Sequence, residues 1–227
     1  MLSKYPIPSQ SRTTLATLLL VGILMTTGCL GFITGDSPLS ATSEDVAVSE
    51  NALSATDYEL VRKKTIGVNK TVTVADQERT IKATNHLRVY SRDVPLQVSG
   101  VTLPADVAIT RFAVLSTPKA EIAGQSLNPI GHLSEKELVK KFLDEYENID
   151  GLEFSGNRTV ESLGDTRTVS TFTATVQITE NVEIPVLLHV TTFAHEDDYI
   201  TAIAIHPKQI DEQQRIDRLL NGLEHPA

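Results

Sequence analysis

The chain has 227 residues, with 20 Lys plus Arg against 29 Asp plus Glu, for a formal charge of −9. That length suits one ordinary domain with a tail, and it can bury a core without disulfide staples. The negative balance repels phosphate backbones and argues against a nucleic-acid partner.

Taken in chain order, the first feature is an address. Met1, Met25 and Cys29 are the only sulfur-bearing residues, and Trp is absent. Lys4 and Arg12 precede an apolar run from Leu15 to Met25, which ends in Thr26-Thr27-Gly28-Cys29. A basic segment, a short apolar segment and small residues before a cut describe an export signal. There is no Arg-Arg pair to support a twin-arginine route. Small residues directly before a Cys resemble a lipobox, although Thr26 stands where Leu is usual. Residues 1–28 are therefore expected to be a lipoprotein signal peptide, with Cys29 the lipid-attachment residue. The alternative is an uncleaved helix, because residues 13–34 are uncharged and just long enough to span a bilayer. Both readings keep Lys4 and Arg12 inside and put everything from Asp36 onward outside. The expected location is the outer face of the cytoplasmic membrane. Lipid alone would need more than one acyl chain to hold the protein there.

Without its first 28 residues the chain has 18 basic and 29 acidic residues, a charge of −11 over 199 residues. An excess of surface carboxylate of that size suits solubility at high salt. Residues 29–55 read as a flexible, lipid-anchored spacer rich in Ser, Thr and acids, with a short helix near Ser49 to Leu53. Residues 56–227 read as a single α+β extracytoplasmic domain.

Within that domain, Tyr58 to Val74 and Arg79 to Tyr90 are rich in β-branched residues and predict a long hairpin. Val107 to Ser116 predicts a third strand, closed by Pro118. Asn128-Pro129 and Gly131 mark a turn. Ser134 and Glu137 form a capping box, and Leu133 with Leu138 can close the hydrophobic staple of a helix. Leu138, Val139, Phe142, Leu143 and Tyr146 supply that helix with an apolar face. Phe172, Ala174, Val176 and Ile178 alternate with polar residues, which predicts a half-buried strand. Val182 to Phe193 and Tyr199 to Ile205 are apolar on both faces and so require cover on both. Pro185 fits only an edge or an irregular strand end. Ile216, Leu219, Leu220 and Leu223 mark a last helix from about Gln209 to Asn221, stopped by Gly222. The expected fold class is α+β, an antiparallel β-sheet packed with helices.

Two resemblances accompany this pattern. The stretch from Thr27 to Asp36 is similar to the start of many haloarchaeal lipoproteins. Ala55-Thr56-Asp57-Tyr58, the strands that follow and Asn128-Pro129 before a helix resemble a haloarchaeal lipoprotein family of unknown function, which implies no activity. From Val107 to Leu223 the element order resembles the PsbP-like fold, an α/β/α sandwich. That resemblance implies an accessory or binding role by fold-level analogy alone.

Named chemistries mostly fail on inspection. There is no G-x-S-x-G, H-E-x-x-H, P-loop or G-x-G-x-x-G. A copper site with Cys and Met ligands and haem attachment through C-x-x-C-H lack their residues. No cofactor is expected. One cluster remains, His195-Glu196-Asp197-Asp198 with His189 six residues earlier at the same strand parity. Imidazoles beside carboxylates can hold a divalent cation. The same four residues also make an ordinary acidic hairpin tip. His86, His132, His206 and His225 are scattered and read as surface or satisfied side chains. Asn69 and Asn157 head glycosylation sequons. The expected function is a membrane-anchored, extracytoplasmic lipoprotein with a non-catalytic binding or accessory role, its partner an envelope protein or small ligand. The alternative is a small hydrolase with a dispersed Ser-His-Asp set, since triads follow geometry rather than spacing.

Overall fold

The structure is a computed structural model and describes residues 38–74, 77–98, 101–103, 110–119, 121–122, 125–126, 134, 136–139, 149–179 and 182–226. Cys29, the signal segment, the candidate membrane helix at 13–34 and most of the helix expected after Ser134 lie outside those residues. Among the described residues, no helix is long and apolar enough to cross a membrane.

The elements begin with β1 (Leu39–Thr42), β2 (Ala47–Val48) and α1 (Glu50–Thr56). The long hairpin follows as β3 (Glu59–Val74) and β4 (Gln77–Ser91), close to its sequence expectation. Short strands β5 (Leu96–Val98) and β6 (Val101–Leu103) pair with each other, as do β8 (Glu121–Ile122) and β9 (Gln125–Ser126), on either side of β7 (Arg111–Pro118). A meander of β10 (Ile149–Ser162), β11 (Asp165–Thr179), β12 (Val182–His195) and β13 (Asp198–Pro207) comes next. The chain closes with α2 (Gln213–Asn221) and β14 (Leu223–Glu224). The large sheet has the order β1-β4-β7-β13-β12-β11-β10, with β3 on β4. The described residues divide into two compact units, one of those within 38–40 and 69–82, the other of those within 41–68 and 83–226.

Among the described residues the expected sandwich of helices around a sheet does not form, and they are predominantly β. The lengths give the reason. β10 and β12 have 14 residues each, about 46 Å of strand at 3.3 Å per residue. Helices α1 and α2 have 7 and 9 residues, about 14 Å at most. Helices so short cannot cover a sheet so long. Both α1 and α2 pack on one face, where Leu53, Ile216, Leu219 and Leu220 meet Ile200, Ala202 and Ala204 of β13. On the opposite face Ile203 and Ile205 join Val186, Leu188 and Val190 of β12 against Val139. The two apolar faces of β13 are therefore both covered, as its sequence requires.

Local chemistry explains the boundaries. The capping box is formed, with Glu137 N donating to Ser134 Oγ at 3.3 Å and Ser134 N to Glu137 Oε2 at 2.8 Å. Helix α2 starts later than its periodicity predicts. Glu212 at its N-cap makes no side-chain cap bond. Its fully buried carboxylate instead receives Arg92 and, at 3.3 Å, the Tyr58 hydroxyl. Pro185 sits where β12 pairs with β11 alone, because the β13 register reaches only Val186. Residues read as spacer carry β1, β2 and α1, with Val46 and Val48 in the core. Strand β10 has no counterpart in the sequence reading.

Candidate functional site

Strands β12 and β13 run in unbroken register from Val186–Pro207 to His195–Asp198. They place two histidine clusters on one face, apart from each other. His189 and His195 share strand parity, but six residues of strand separate them by about 20 Å, too far to share an ion.

His189 and His206 are buried in the first cluster, 5% and 2% exposed. Arg158 Nη1 donates to His189 Nδ1 at 2.8 Å. Guanidinium cannot accept, so Nδ1 is the acceptor and Nε2 carries the ring proton. That proton faces His206 Nε2 at 3.0 Å. His206 Nδ1 in turn donates to the Pro207 carbonyl at 3.0 Å. Arg158 is itself held by Asp217 Oδ1 through Nε at 2.9 Å and Nη2 at 2.7 Å. Every imidazole nitrogen has a partner, and both rings are neutral. Burial, then the charge of Arg158 and the neighbouring His206 ring, push His189 down to about 3. Burial also lowers His206, against the opposing hydrogen bond to Pro207. This cluster is a closed polar network with no vacancy for a ligand.

The second cluster lies at the hairpin tip. Glu196 and Asp197 form the two-residue connection, and Glu196 adopts a positive φ of 45°, as the first position of a twisted hairpin turn favours. Lys119 fastens the turn, its backbone N donating to the Asp197 carbonyl at 2.8 Å and its ammonium to the Glu196 carbonyl. His225 arrives from far along the chain because β14 pairs with β2 and buries Leu223. Gly222 sits so tightly on α1 that a Cβ there would lie 2.4 Å from Ala52 Cβ.

The His225 side chain is only 4% exposed. Its Nε2 donates to Asp198 Oδ2 at 3.1 Å. The same oxygen receives Glu44 N at 2.8 Å and Ser116 Oγ at 3.2 Å. The other ring nitrogen, Nδ1, is buried and makes no hydrogen bond. Glu196 Oε2 lies 3.3 Å from it, within reach but outside hydrogen-bond geometry. The His195 ring stands edge-on, with centroids 5.0 Å apart. Leaving a buried polar atom without a hydrogen-bond partner costs about 1–3 kcal/mol. His195, Glu196 and His225 each offer a ligand atom, all within 4.8 Å of one another.

Of the residues marked in the sequence, His195 and Glu196 therefore meet, and Asp198 supports them from behind. Asp197 is exposed and His189 belongs to the other cluster. His225 was not singled out, because it lies 27 positions from Asp198 and no local motif connects them. Asn69 and Asn157 are exposed on β3 and β10, with Asn157 Oδ1 accepting from Ser170 at 3.2 Å. Ser116 donates to Asp198 rather than to an imidazole. Ser43, 3.3 Å from His86 Nδ1, is 2% exposed and donates to the Ser116 carbonyl at 2.9 Å.

The chain belongs to the family described as a domain of unknown function (DUF6517), which matches residues 45–224. The match takes in His195, Glu196 and Asp198 and stops one residue short of His225. Among solved structures the chain is similar to the solution structure of cyanobacterial PsbP (CyanoP) from Synechocystis sp. PCC 6803, at 11% identity over 82% of this chain and 94% of that one, with a TM-score of 0.34. No curated protein matches.

Proposed function

We propose that this protein is a membrane-anchored, extracytoplasmic lipoprotein with a non-catalytic binding role at the cell envelope, and that it holds its ligand at the β12–β13 tip. The observation that carries the reading is the convergence of His195 and Glu196 on a buried, hydrogen-bond-free nitrogen of His225. A buried polar atom without a hydrogen-bond partner calls for an explanation, and a bound ligand supplies one. The anchor rests on the apolar run from Leu15 to Met25 and the Gly28-Cys29 junction that follows it. The charge of −11 after residue 28 suits a salt-rich medium and supports a haloarchaeal setting.

Mass spectrometry of the protein extracted from membranes tests the anchor. The expected result is a mature chain beginning at Cys29 with lipid attached, and Cys29→Ser protein that keeps its leader or leaves the membrane fraction. A chain that retains residues 1–28 with an unmodified Cys29 would replace the lipid with an uncleaved helix. Recovery of the body from the cytoplasm would overturn the topology altogether.

A further inference from the structure

We propose that His195, Glu196 and His225 form a three-ligand site for a divalent transition-metal ion of the zinc class, buttressed by Asp198. The proposal deepens the binding reading above and rests on it for location only; the site geometry stands without the membrane anchor.

Spacing is the first argument. Zinc holds nitrogen and carboxylate oxygen at about 2.0–2.2 Å in tetrahedral geometry, which puts neighbouring ligand atoms about 3.3–3.5 Å apart. His225 Nδ1 and Glu196 Oε2 are already 3.3 Å apart. Each of the three residues offers a ligand atom, all within 4.8 Å of one another, and the third is a ring nitrogen. It belongs to His195, half-buried at the end of β12, where a rotamer adjustment closes the remaining gap.

Proton placement is the second. Asp198 Oδ2 takes the Nε2 proton of His225 at 3.1 Å. With Nε2 turned to Asp198, Nδ1 is the ring nitrogen that faces Glu196 Oε2 at 3.3 Å. A carboxylate behind a ligating imidazole is the usual outer support of a metal-binding histidine, fixing its tautomer and raising its basicity. Asp198 is itself 2% exposed and is held by Glu44 N and Ser116 Oγ, so the support is rigid. An ordinary acidic hairpin tip needs no buried imidazole with a nitrogen outside hydrogen-bond geometry.

Donor type is the third. Two imidazoles and one carboxylate favour zinc, nickel, cobalt or copper. Calcium and magnesium demand sets of oxygen ligands. Three protein ligands leave the fourth tetrahedral position to water or to a donor from the bound partner.

The test is metal titration of the purified full-length chain in detergent, with Zn²⁺ competed against a chromophoric chelator and Co²⁺ followed by its visible absorption. One ion per chain and a tetrahedral Co²⁺ spectrum are expected, with Ca²⁺ and Mg²⁺ failing to compete. His195→Gln and Glu196→Gln change accessible side chains and should each weaken Zn²⁺ at least about tenfold. Asp198→Asn should weaken it about 10- to 100-fold, as loss of an outer-shell partner does, while the stoichiometry stays at one. No Zn²⁺ uptake, uptake unchanged in His195→Gln and Glu196→Gln, or equal binding of Ca²⁺ would each overturn the site. These readings do not depend on membrane topology, so failure of the anchor and failure of the metal site are separately visible.

Discussion

The two histidine pairs on the β12–β13 face are built from the same side chain and have opposite outcomes. His189 and His206 spend every ring nitrogen on a partner, from Arg158 at one end to the Pro207 carbonyl at the other. His225 spends one nitrogen on Asp198 and keeps the other. The contrast teaches that two buried imidazoles differ in which ring nitrogens the fold has supplied with hydrogen-bond partners. Burial and carboxylate neighbours alone do not separate the cases, since both clusters have them.

Acid should strike the closed network first and hardest. In the unfolded chain His189 titrates near 6.5, and in the fold near 3. Between those values the unfolded state binds one more proton, so stability is complete above 6.5 and falls as pH drops towards 3. The limiting slope is about 1.4 kcal/mol per pH unit from this group, several kcal/mol over the window. His206 is shifted the same way and steepens the fall. Asp45 adds a further loss only below its ordinary 3.8, because paired hydrogen bonds from Arg88, opposed by some burial, hold it lower in the fold. Urea unfolding at a series of pH values should show the slope, and His189→Leu should flatten it between 6.5 and 4. A slope unchanged in the variant would remove His189 as its source.

At neutral pH, His189→Leu should itself cost about 2–3 kcal/mol, because Arg158 and His206 are left with unmet hydrogen bonds. Its Zn²⁺ affinity should stay at the wild-type value. Gly222→Ala is expected to cost about 1–3 kcal/mol, since its Cβ would lie 2.4 Å from Ala52 Cβ. This substitution should also weaken Zn²⁺ by displacing β14 and the His225 that follows it. A destabilised Gly222→Ala protein with undiminished affinity would separate the tether from the site. The smallest effect belongs to the open cluster. Without metal, His195→Gln should change stability by no more than about 0.5 kcal/mol, as for other accessible positions. With metal, the wild-type protein should gain thermal stability that this variant lacks.

Much of the architecture was legible wherever one short stretch carries its own signal. The β3–β4 hairpin, the β11–β13 meander, the capping box of Ser134 and Glu137 and the apolar stripe of α2 all follow from local periodicity. Strand β10 escaped because polar side chains and Gly151 and Gly156 interrupt its pattern. Its partner β11 supplies the pairing that its own composition does not. The helix-covered sandwich was expected from element order, which says nothing about whether helices are long enough to cover strands. Residues 29–55 read as spacer because they are rich in Ser, Thr and acids, yet pairing of β2 with β14 draws Val48 into the core.

By itself, then, the sequence determined the apolar run from Leu15 to Met25, the excess of acidic residues and the His195-Glu196 pair, because these are read from residue identities alone. Tertiary structure alone decided which imidazole remained available. Ring tautomers depend on donors and acceptors brought from distant strands: Arg158 and Thr171 for His189, Asp198 for His225. The proton inventory of a histidine is a property of its surroundings, and those surroundings exist only once the chain has folded.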